Sequence, residues 1–163
     1  MVGAEQSRQD RVDEALRFLN VVCGALVASV GFIAMVAWFV SSGPVAMVQV
    51  GPPLPRAVAF FGAAVAVALL VAAPVIHRKM LERAAVNVRA DERADTAVES
   101  FRLATTLAFI LREGAAIDGL MLTLLTGEPM WCYVLSATSV VAMIWGWPRR
   151  EHLGGLLGGA VPA

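Results

Sequence analysis

A charged triplet inside an otherwise apolar stretch constrains this chain most. Residues 103–125 are long enough and apolar enough to cross a bilayer, yet they contain Arg112, Glu113 and Asp118. A hydrocarbon core of about 30 Å takes about 20 residues at ~1.5 Å rise each, so Glu113, ten residues in, sits near the midplane. A charge there costs about 2.5 kcal/mol or more, so it must face protein or water, find a partner, or be neutral. Any fold for this chain has to accommodate those three groups.

Three further apolar stretches frame the triplet: residues 18–40, 57–76 and 131–147. Apolar residues make up 58% of the 163 and charged ones 16%, which leaves little chain for a separate water-soluble catalytic domain. The expected fold is an all-α membrane protein with four transmembrane helices. It has an N-terminal tail or surface helix at 1–17, a membrane domain at 18–147 and a flexible, glycine-rich C-terminal tail at 148–163. No nucleic-acid partner is expected, because thirteen basic residues are balanced by thirteen acidic ones.

Positive charge stays on the cytoplasmic side during insertion. Three arginines precede the first stretch, six cations lie between the second and third, and two follow the fourth. Eleven of the thirteen therefore fall on one side of a four-span topology. Both termini are expected to be cytoplasmic in a multi-pass protein of the cell membrane. Trp38, Trp131 and Tyr133 then mark the outer interface, and Trp145 and Trp147 the inner one. A cleaved signal peptide is not expected, since the flank of the first stretch is acidic and its apolar run exceeds an h-region.

Between His77 and Ser100 there is neither Gly nor Pro, and Met80, Leu81, Ala84, Ala85 and Val88 recur at helical spacing. A helical hairpin, residues 77–100, should thus extend into the cytoplasm, turning near residues 87–95. Thr96 and Glu99 have capping-box spacing, which predicts a helix start near Ala97. At the N-terminus, Ser7 is a candidate N-cap and Val12, Leu16 and Leu19 form one face, expected against the bilayer; a disordered tail is the alternative. Residues 41–56 carry Gly43, Pro44, Gly51, Pro52, Pro53 and Pro55 and predict a turn-rich outer loop.

No catalytic motif, metal-ligand spacing or cofactor fingerprint is present. Neither enzymatic activity nor a cofactor is expected. Cys23 and Cys132 lie near opposite ends of their spans, about 20 Å apart along the membrane normal, too far for a disulfide. Small residues four apart, at Gly24 and Ala28, Gly62 and Ala66, Ala64 and Ala68, and Ala115 and Gly119, permit close helix contact. Arg112 and Glu113 point about 100° apart, so neither satisfies the other squarely, and Asp118 is poorly spaced from Arg112. Pairing across helices or chains is expected, and with it a homo-oligomer or a place among other membrane subunits.

Residues 109–125, FILREGAAIDGLMLTLL, resemble the ion-carrying helix of rotary ATPase proteolipids, the c-subunit family. The likeness consists of a mid-membrane carboxylate, a small-residue stretch, a glycine six positions on and an aliphatic run. It implies that Glu113 is a proton- or sodium-binding carboxylate and Gly119 a close-packing glycine. The preceding span lacks that family's glycine repeat, the loop is longer, and two spans are additional. Two functions follow as expectations: a non-catalytic structural or assembly subunit, or a proton- or cation-coupling protein built on Glu113.

Overall fold

The computed structural model describes residues 2–42, 56–91 and 94–152. Among them are four helices and no strand: α1 (Val2–Ser42), α2 (Arg56–Asp91), α3 (Ala94–Thr126) and α4 (Met130–Trp145). Helix α3 packs against each of the other three, whereas α1 and α2 do not touch along their backbones. The helix that carries the three charges is the centre of the bundle.

Burial recurs every seven residues: Cys23, Val30 and Ala37 on α1, Ala59, Ala66 and Ala73 on α2, and Phe101, Ala108, Ala115 and Leu122 on α3. That 3.5-residue period keeps one seam of each helix on its neighbour, as in left-handed bundles. Twelve of the twenty-two buried apolar residues are alanine, while Phe32, Trp38, Phe39, Phe60, Phe61 and Trp145 lie on the outside. Small residues inside and large ones outside is the packing of helices whose surroundings are themselves apolar. Windows within Gln9–Ser42 and Ala57–Val86 are long and apolar enough to cross a membrane, and only 22% and 17% of each is buried. The core helix of a water-soluble protein would be mostly covered. Helix α4 is apolar but shorter.

Three clusters stack along α3. Ala15, Leu19, Leu81, Ala85, Ala97, Phe101 and Ala104 join α1 to the hairpin. Next come Cys23, Val30, Phe109, Ala116 and Met143, from α1, α3 and α4. At the far end Ala66, Ala115, Leu122 and Leu135 join α2, α3 and α4.

Several boundaries differ from expectation. Helix α1 runs unbroken from Val2, so Ser7 is inside it and residues 2–17 are neither a separate surface helix nor coil. Val12 and Leu19 pack against α2 and α3 rather than facing outward, because the C-terminal part of α2 and the N-terminal part of α3 cover that face. Helix α3 begins at Ala94, which puts Thr96 in its first turn instead of at the cap. Helix α2 reaches Asp91 and α3 starts at Ala94, as a helical hairpin requires; residues 92 and 93, within the expected turn, lie outside the described residues. Helix α2 continues through Pro74, whose missing N–H leaves the Leu70 carbonyl without its usual partner. Helix α4 ends at Trp145, two residues early: Gly146 leaves the helix, and Pro148 disfavours helical geometry at Trp147.

The expected outer loop falls largely at 43–55, outside the described residues. Of the expected flexible tail, residues 148–152 are placed, and 153–163 lie outside the described residues. Residues 146–152 fold across the end of the bundle. There Trp147 donates to Asn20 Oδ1 at 3.0 Å, Arg150 pairs with Asp13 at 2.6 Å, and Trp147 meets Phe109 edge-on with ring centres 6.2 Å apart.

The turn between α3 and α4 is set by its hydroxyls. Gly127 takes φ 74° and donates its N–H to the Thr123 carbonyl, a left-handed helix end that glycine adopts without strain. Thr123 Oγ1 accepts from Cys132 N–H at 3.1 Å and donates to the Glu128 carbonyl at 3.2 Å. A buried Thr thereby joins the end of one helix to the start of the next.

Candidate functional site

The three charges of α3 point in three directions. At about 100° per residue, Glu113 and Asp118 are turned roughly 100° and 240° from Arg112. Within the chain no ion pair joins them.

Glu113 faces α1. Ser29 Oγ donates to Glu113 Oε1 at 2.5 Å, a bond between helices in the middle of the bundle. Asp118 is half-buried, and its Oδ2 has no hydrogen-bond partner and no access to solvent.

Arg112 is 8% exposed, the most buried charged side chain among the described residues, and its Nε has no hydrogen-bond partner. Side chains on a helix lean toward its N-terminus, and Arg112 leans toward the end of the bundle where α4 stops. Its guanidinium lies 5.5 Å from the centre of the Phe109 ring and against Gly146, where an added Cβ would overlap it. It opens into a cavity of about 240 Å³ shared with His77, Arg78, Thr105, Trp145 and His152. His77 Nε2 is 3.4 Å from Thr105 Oγ1, and His77 meets Phe101 edge-on. No Asp or Glu lines this cavity among the described residues.

The three packing glycines behave differently. A Cβ on Gly119 would stand 3.0 Å from Leu135 Cβ and 3.1 Å from the Trp131 carbonyl oxygen, so α3 and α4 meet there backbone to backbone. On Gly62 it would meet the Leu122 side chain, which makes this the close approach of α2 to α3. Nothing lies within 4 Å of a Cβ on Gly24; this glycine opens outward and packs no helix of its own chain.

Both cysteines are free and buried. Cys132 Sγ lies 4.0 Å from the Ile33 carbonyl, ten residues along α1 from Cys23, so the two thiols are about 15 Å apart along the bundle, less than the expected separation and still too far for a disulfide. No group of three His, Cys, Asp or Glu side chains converges among the described residues. No family model, curated protein or solved structure matches the chain.

Sequence reasoning missed the surroundings of Arg112. The chain segment beside it, Gly146 to His152, runs from the end of the last apolar stretch into what resembles a tail. The lean of helical side chains was the available signal, since it sends an Arg in a span toward the helix's own N-terminal end.

Proposed function

We propose that the chain is a non-catalytic multi-pass protein of the cell membrane, with four crossings and with both termini and the 77–100 hairpin in the cytoplasm. In this reading it is a small structural or assembly subunit that packs against further copies or against other membrane subunits. Asp118 carries the argument. An acceptor oxygen held away from water without a donor is costly, and no donor for it comes from the described residues. A donor from a neighbouring helix of another chain would supply the missing bond. The outward-opening Gly24 and exposed Ala28 offer a separate surface for close approach of a neighbouring helix.

The test is a native mass measurement on complexes extracted gently from the membrane. Wild type should run as a homo-oligomer or hetero-complex. Asp118→Leu should reduce the assembled fraction severalfold while the melting temperature of the released monomer holds or rises, because an unpaired carboxyl has been removed. An assembled fraction unchanged by Asp118→Leu would sink this reading.

A second reading is favoured by the bond between Ser29 and Glu113. A carboxyl near the midplane with a single hydroxyl partner can exist protonated or ionised, which is what reversible proton or cation binding requires. The resemblance to the proteolipid helix supports the same role. Under it, Glu113 is the coupling group and Arg112 tunes it.

A further inference from the structure

We propose that the cavity at the end of α4 is a binding site for a phosphate group, carried by an anionic lipid headgroup or by a soluble anion, with Arg112 as its principal ligand. The proposal does not depend on what Glu113 and Asp118 do. It rests on a buried guanidinium that has an unpartnered Nε and opens into a cavity with no carboxylate among its described lining residues.

The lining is uniform in sign. Arg112 and Arg78 supply two guanidiniums, His77 and His152 two imidazoles, and Thr105 a hydroxyl. Arg78 gives its Nε to Glu82 at 2.9 Å, but Glu82 is outside the cavity. A cation enclosed in protein and left with only other cations and neutral groups around it is strongly disfavoured unless a counter-charge or water enters. The planar fork of Arg matches phosphate oxygens two at a time, and the remaining donors surround it as points. At about 30 Å³ per water, the cavity of about 240 Å³ would take roughly eight waters. A phosphate with part of its ester fits the same space. Its apolar floor of Pro74, Leu81 and Phe109 suits the glycerol or acyl end of a lipid, and basic pockets between helices on the cytoplasmic side hold anionic headgroups.

Gly146 makes a steric probe available. Its φ of −89° and ψ of 18° suit any residue, so Gly146→Ala leaves the backbone unstrained. The new methyl would nonetheless push the Arg112 guanidinium out of position while every charge stays in place.

The full-length protein is placed in nanodiscs of phosphatidylcholine alone or mixed with equal phosphatidylglycerol, and native mass spectrometry counts retained lipids. In parallel, inorganic phosphate is titrated into the protein in a neutral maltoside detergent and followed by Trp fluorescence, since Trp145 lines the cavity. Saturable binding at one site per chain is expected, weakened roughly tenfold or more by Arg112→Gln and by Gly146→Ala and unaffected by Arg83→Gln on the exposed face of α2. Retention of phosphatidylglycerol with no response to phosphate identifies a lipid headgroup as the source; a response to phosphate identifies a soluble anion. Binding equal in all variants would overturn the proposal. So would the absence of salt-sensitive saturable binding by wild type in either arm, even if a variant fails to fold, and Arg112 would then be a water-solvated cation only.

Discussion

Gly119→Leu is expected to separate α4 from α3 and to abolish the folded bundle in mild detergent. A Cβ at this position would already stand 3.1 Å from the Trp131 carbonyl oxygen and 3.2 Å from Cys132 Cα, backbone atoms that cannot rotate away. Overpacking a closed interface costs about 1–3 kcal/mol. Gly119→Ala should fall in that range, and leucine, with three further carbons, should exceed it. Gly62→Ala should cost less, because the obstacle at 2.7 Å is the far end of the Leu122 side chain, which can turn. Gly24→Ala has nothing to collide with and should hold or gain up to about 1 kcal/mol of helix propensity. Denaturation of the reconstituted protein by SDS, followed by circular dichroism, would rank the three. Similar costs at Gly119 and Gly24 would show that α3 and α4 do not meet as described.

Why the glycines differ shows what can be read from sequence and what cannot. All three occupy small-x-x-x-small patterns, and nothing local separates them. The pattern says that a close approach is possible on that face, but which helix arrives is settled by the assembled bundle. The four helices themselves were legible, because apolar length and the absence of Gly and Pro between His77 and Ser100 are local properties. Helix ends were less so: Thr96 and Glu99 have the right spacing for a cap, yet the helix gains a further turn of support from Ala97 and Phe101 packing on α1. Burial of Val12 and Leu19 likewise depends on α2 and α3 reaching past the apolar stretch. The isolation of Arg112, Glu113 and Asp118 from one another was legible from the helical angle alone. Their actual surroundings, a serine, a cavity and an unpartnered oxygen, depend on which helix lies on which side of α3.

Ser29 and Glu113 allow the two proposed functions to be separated, because a structural bond and an ion site respond differently to the same substitutions. Ser29→Ala removes the only hydrogen-bond partner of Glu113 among the described residues and strands a half-buried carboxyl. The expected cost is about 1–3 kcal/mol. Glu113→Gln keeps an acceptor oxygen in place and should cost less. Replacing both, with Ser29→Ala and Glu113→Leu together, exchanges a polar pair for apolar contact and should be close to neutral. A double-mutant cycle on thermal stability therefore reads the bond directly, and additive effects would show that the two side chains do not meet. The functional arm uses Glu113→Gln in liposomes. If Glu113 is a structural group, the variant assembles less well and shows no ion-flux phenotype of its own. If it is a reversible site, complexes stay intact and proton uptake is lost, because an amide accepts a hydrogen bond but does not carry a proton at neutral pH. Dicyclohexylcarbodiimide adds an independent check, since it reacts with protonated carboxyls in apolar surroundings. The coupling reading requires modification of Glu113 in preference to Asp118 and Glu128, with Ser29→Ala changing its rate. A Glu113 that stays unmodified in folded protein leaves the bond to Ser29 as a joint between α1 and α3, and the polar centre of α3 as a device for assembly.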